Sequence, residues 1–136
     1  MKSISFFKTD DVLLETSLES LHAESVSWLH ELEFWNEELA FFARLLAHAE
    51  FSKPFPKQEV AEMEKAIITL RADRIEKLKD RVSGHEGSLP ALFKRESLTS
   101  ELTYRELHRE LLRDVGNLFG EIRNFKKTLF SFVERS

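Results

Sequence analysis

The chain of 136 residues has no cysteine. That absence excludes disulfides, thiolate metal centres and thiol nucleophiles. Punctuation is sparse too, with four glycines and three prolines, so few positions can interrupt a regular element and long ones are expected. No stretch reaches the roughly 18 uncharged apolar residues that a membrane span requires. The opening MKSISFFKTDDVLLE is broken by Asp10, Asp11 and Glu15 before any signal-peptide core develops. A soluble, cytoplasmic chain is the expectation. A basic excess is also missing. The formal net charge of −4 argues against nucleic acid, whose phosphates require a basic face. It argues equally against an anionic membrane surface.

What is present is helical periodicity. The length fits one domain that can bury a core without staples. Counting heptads from Leu18, the a and d positions read Leu18, Leu21, Ser25, Trp28, Leu32, Trp35, Leu39, Phe42, Leu46 and Ala49, all apolar except Ser25. Spacings of three and four place these on one stripe of a helix. Ser17 supplies an N-cap, and Pro54 and Pro56 bound the far end, so a helix over 18–51 is predicted. A second, over 57–83, starts behind Pro56, and its inner face follows Val60, Met63, Ile67, Leu70, Arg74 or Ile75, Leu78 and Val82. The phase slips near Arg74, so the stripe widens to admit Ile68 and Ile75. Ser83-Gly84 is read as its end, with a loop or short helical turn over 84–97. The third, over 98–134, follows Tyr104, His108, Leu111, Val115, Leu118, Ile122, Phe125, Leu129 and Phe132, apolar or aromatic apart from His108. Gly116 and Gly120 fall off this stripe. Residues 1–17 hold Ile4, Phe6, Phe7 and Val12–Leu14 and are expected to pack on the bundle in part. The fold class is all-α: an up-down-up bundle of three long antiparallel helices with heptad-like packing, associating laterally.

Motifs for chemistry are few. Glu19-x-x-His22 is the only Glu-x-x-His in the chain, whereas a carboxylate-bridged di-metal bundle uses two. His108 on the inner stripe reads as a core histidine bonded to a neighbour, a carboxylate of the first helix being a candidate. No serine sits in a strained elbow, and the scattered glycines form no phosphate loop. The reading is therefore not an enzyme, with no cofactor and no metal site. The alternative is a metal- or small-ligand-binding bundle using His22, His108 and nearby glutamates.

Two features point to contacts between helices. The first helix carries Glu19, Glu24, Glu31, Glu33, Glu37, Glu38 and Glu50 against Arg44 alone. It therefore needs basic neighbours, for which Arg71, Arg74, Arg105, Arg109 and Arg123 are available. Its aromatics also divide. Trp28, Trp35 and Phe42 belong to the seam, while Phe34, Phe41 and His48 recur at heptad position c, and Leu45 lies one helical step from Phe41. The third helix shows a similar excess at Leu98, Leu112, Phe119 and Val133. A lone three-helix bundle needs no second apolar row, so something must cover it: the N-terminal segment 1–17, a helix of another subunit, or a partner. The expectation is a non-catalytic interaction or scaffold module that forms a homo-oligomer (a dimer) or binds a partner helix. Its interface is placed on Phe34, Phe41, Leu45, His48, Leu112 and Phe119.

Overall fold

A computed structural model describes residues 17–52, 56–94 and 98–135. Helix α1 spans Leu18–Ser52. Helix α2, Lys57–Ile68, runs through a π-helical segment, Thr69–Ile75, into α3, Glu76–Gly87. A short α4, Leu89–Phe93, precedes α5, Leu98–Arg135. The described residues contain no strand, and the architecture is the expected all-α bundle. The reading of residues 1–16 as a packing segment lies outside the described residues.

The caps explain the boundaries. Ser17 is the N-cap of α1: the Ser20 N–H donates to its Oγ at 3.1 Å, and the Leu21 N–H to its carbonyl at 3.1 Å. Pro56, extended at φ −60° and ψ 121°, opens α2. Its missing N–H would have had no intrahelical acceptor in any case.

Side-chain pairs give the topology. Going up α1, Trp28 stacks on His108, Trp35 on Phe119 and Phe42 meets Phe130, so α1 and α5 are parallel. Going down the middle helix, Arg71 reaches Asn36, Lys79 reaches Glu33 and Glu86 reaches His22. The middle helix is thus antiparallel to both, and the order is up-down-up.

The main core joins the seams of all three helices around Leu32, Leu39, Val60, Ile67, Ile75, Leu111, Leu118 and Ile122. A smaller cluster of Leu21, Leu89, Leu92 and Tyr104, with Leu18 against it, closes the end covered by α4. Fully burying one such aliphatic side chain contributes about 1.5–3 kcal/mol, so the seam outweighs any exposed ion pair in holding the bundle.

Three expectations about the middle helix are corrected. The phase slip near Arg74 is a π-helical segment. The buried stripe jumps five residues from Leu70 to Ile75 and then resumes through Leu78, Val82 and His85. An extra residue in one turn restores the stripe to the core, so no widening is needed. Ile68, expected inside, is 65% exposed. Ser83-Gly84 is not an end: helical backbone continues to Gly87, and α4 starts two residues later. Two glutamates of α1 pair with lysines rather than with the arginines expected. Lys79 meets Glu33 at 3.2 Å and Lys126 meets Glu38 at 3.1 Å, while Arg74 goes to Glu121 on α5 and Arg105 to Glu101 on its own helix.

Candidate functional site

The most prominent surface feature lies along the seam between α1 and α5. Position g of α1 flanks α5, as the Glu38–Lys126 pair shows, and position c lies next to g on the outward side. Phe34 at c is 57% exposed, and Phe41 at c and Leu45 at g are 49% each. On the α5 side Phe119 lies parallel to Trp35 at 5.6 Å between centroids, and Phe130 meets Phe42 edge-on at 5.8 Å. Both rings, with Val133, remain exposed on their outer sides. Cations sit over two rings: the Arg44 guanidinium is 5.9 Å from the centre of Phe41, and that of Arg123 5.7 Å from Phe119.

The structure thus brings Phe34, Phe41, Leu45 and Phe119 onto one face. Leu112 is half-buried against the core, and His48 is exposed. Phe130 was not among the predicted residues. Its position one step off the α5 stripe brings it against the ring of Phe42 only once α1 lies alongside.

The second feature is internal. His108 is fully buried, with Trp28 stacked on its ring at 4.5 Å. Its Nε2 lies 2.8 Å from Glu24 Oε1, the carboxylate partner on α1 that its seam position suggested. Its Nδ1 is 3.0 Å from His85 Nε2 and 3.5 Å from Ser25 Oγ. His85, 2% exposed, stacks on Tyr104 at 4.0 Å and 11° between planes. Tyr104 Oη donates to Glu86 Oε2 at 3.2 Å, and His22 Nδ1 takes the other oxygen of the same carboxylate. Burial pushes the His85 imidazole down to about 4, with the neighbouring His108 acting in the same direction and Glu86 opposing. Burial, reinforced by Glu86, raises the Tyr104 phenol above its ordinary range, so it stays protonated. His85 Nδ1 has no hydrogen-bond partner among the described residues.

Sequence reasoning missed His85 because the middle helix was ended at Ser83, two residues before it. Continuing the buried stripe from Ile75 through Leu78 and Val82 by threes and fours leads to position 85.

Chemically the cluster is a packed network. Ser25, His108 and Glu24 have the composition of a Ser–His–acid triad but not its setting. Ser25 is fully buried within α1, where backbone N–H groups are committed to the helix, so no oxyanion donors face its Oγ. His22 and His108 are each held by a different carboxylate. Among the described residues no group of three or more histidines or carboxylates is arranged to hold a metal ion. Beside the cluster a groove of about 650 Å³ runs between α3, α4 and α5, lined by His85, Ser88, Leu92, Tyr104 and Leu107 among others. Ser88 Oγ is occupied there, donating to the His85 carbonyl at 2.7 Å.

No helix among the described residues is long and apolar enough to cross a membrane. Compared with protein-family models, with curated proteins and with solved structures, the chain matches none.

Proposed function

We propose that this protein is a non-catalytic helical interaction module whose α1–α5 face docks a helix, either from a second copy or from a helical partner. One observation carries the reading: Phe34, Phe41, Leu45, Phe119, Phe130 and Val133 are all 43–57% exposed along one seam of a bundle that already has a full core. Scattered exposed apolar residues are ordinary, but a contiguous apolar face marks a contact surface. The mode is helix-on-groove packing, with rigid aromatic anchors supplying affinity and flanking charge setting register.

The test uses a labelled peptide of residues 18–52 titrated into the intact chain and followed by anisotropy. Docking on the outer face predicts saturable binding that is lost when the peptide carries Phe34→Ser and Phe41→Ser. Those changes leave the peptide's seam of Leu32, Trp35, Leu39 and Phe42 intact, so a peptide that merely displaces α1 from the bundle would bind unchanged. Binding insensitive to Phe34 and Phe41, or no binding together with a chain that stays monomeric, would refute the reading.

A further inference from the structure

The groove between α3, α4 and α5 has one unused acceptor in its wall. His85 forms part of that wall. Burial keeps its imidazole neutral through pH 7, and in the neutral His85–His108 pair the contacts fix both tautomers. A carboxylate only accepts, so His108 Nε2 carries a proton and donates to Glu24 Oε1 at 2.8 Å. His108 Nδ1 is then bare and accepts from the His85 Nε2–H at 3.0 Å. A neutral imidazole holds a single N–H, so His85 Nδ1 is left with a lone pair and no proton. It is the one buried side-chain polar atom without a hydrogen-bond partner among the described residues, and such an atom is expensive to leave unmet.

The rest of the groove narrows what can meet it. Tyr104 Oη is engaged with Glu86, and Ser88 Oγ with the His85 carbonyl. At the exposed rim Arg81 is paired with Asp114 at 2.7 Å, and Asp80 follows it along the wall, so no free positive charge awaits an anion. Between these groups Gly84, Ala91, Leu92 and Leu107 present apolar surface. The volume of about 650 Å³ suits a small molecule, and small-molecule sites join an apolar lining to a few polar groups. Nδ1 is covered by the chain's own atoms, so an occupant meets it only as the wall gives way. The wall least firmly held is α4, five residues long, whose Leu89 and Leu92 belong to the smaller cluster and not to the main seam.

We infer that the α3–α4–α5 groove binds a small, uncharged, apolar molecule carrying one hydroxyl or N–H group, which donates to His85 Nδ1 as α4 shifts outward. The site shares no residue with the α1–α5 docking face, so its failure would leave that reading untouched.

Phenol and anisole are the probes, because a methyl group in place of the hydroxyl proton removes the donor and keeps the ring. The intact, uniformly 15N-labelled chain is titrated with each at pH 7.5. Backbone amide shifts report binding, and long-range 1H–15N correlation reports the histidine ring nitrogens. His85 Nδ1 is expected at the position of an unprotonated nitrogen, and phenol is expected to move it. Phenol should saturate and bind about threefold to tenfold tighter than anisole, the equivalent of one hydrogen bond. Anisole is the more apolar probe, so hydrophobic transfer alone gives the opposite order. His85→Phe keeps a ring against Tyr104 and removes the acceptor, so its preference for phenol should vanish. Gly84→Leu sets a side chain in open space at the groove wall. It should raise the phenol dissociation constant severalfold without lowering the thermal midpoint. No saturable phenol binding overturns the inference. So does equal affinity for the two probes, a preference for phenol that survives in His85→Phe, or a proton found on His85 Nδ1. Phenol binding unchanged in Gly84→Leu would place it outside this groove and overturn the inference as well.

Discussion

Acid should weaken this bundle through one residue, His85. In the folded chain its imidazole takes up a proton only at about pH 4, because burial, and then His108, oppose the charge. In the unfolded chain it takes up a proton near 6.5. Between those values the unfolded state binds the proton and the folded state does not. Stability is therefore fully present above about pH 7, falls as pH drops through 6.5, and stops falling from this source near pH 4. The interval is about 2.5 pH units, and at about 1.4 kcal/mol per unit the loss is on the order of 3 kcal/mol. That is a large share of the 5–15 kcal/mol typical of a domain. The assay is urea unfolding at pH 7.5, 6, 5 and 4 for the wild type and for His85→Phe. The phenyl ring keeps the stack on Tyr104 and cannot titrate. Carboxylates and the His22–Glu86 pair are common to both chains, so the difference between the two curves reports His85 together with its contact to His108. It should change by about 3 kcal/mol between pH 7.5 and 4, with the variant the less acid-sensitive chain. Superposable pH profiles would show that His85 is not held neutral by its surroundings and would refute the reasoning.

Other consequences follow from the same geometry. Gly84→Ala should stabilise the chain by up to about 1 kcal/mol in thermal unfolding, since Gly84 lies within helical backbone with open space around it. A helix ending at Gly84 would predict a loss. Leu118→Ala removes a fully buried side chain from the main core and should lower the unfolding free energy by about 2–5 kcal/mol in urea titrations. Ser17→Ala deletes the side-chain acceptor for the Ser20 N–H and should reduce stability by about 1 kcal/mol. Arg74→Ala should change it by less than about 1 kcal/mol, because both partners of the Arg74–Glu121 pair are more than 40% exposed.

Much of this was decided by the sequence alone. A helix reveals its buried side through spacing, so the seam from Leu21 to Leu46 and that from Tyr104 to Phe132 could be read directly. So could the exclusion of Phe34 and Phe41 from that seam, since position c is about 100° from d on the wheel. Ser17 and Pro56 announced their helix starts because capping is a local interaction. His108 was legible as a core histidine for the same reason: its place in the series is a matter of counting.

Tertiary structure decided what periodicity cannot carry. The slip near Arg74 could be seen as a change of phase. Whether the helix widens its buried face or inserts a residue depends on how α1 and α5 receive it, and the π-helical segment at Thr69–Ile75 keeps Ile75 inside and turns Ile68 out. Gly84 resembles an end because glycine is a poor helix residue, yet propensity is weak beside the packing of Val82, His85 and Leu89 against their neighbours. The choice of Lys79 and Lys126 as partners for α1 depends on heights along three helices, which no single helix encodes. So do the His85–His108 contact and the ring of Phe130 against Phe42. A sequence specifies which faces of its helices are apolar. Only their assembly fixes which residues meet across those faces and which apolar row is left outside.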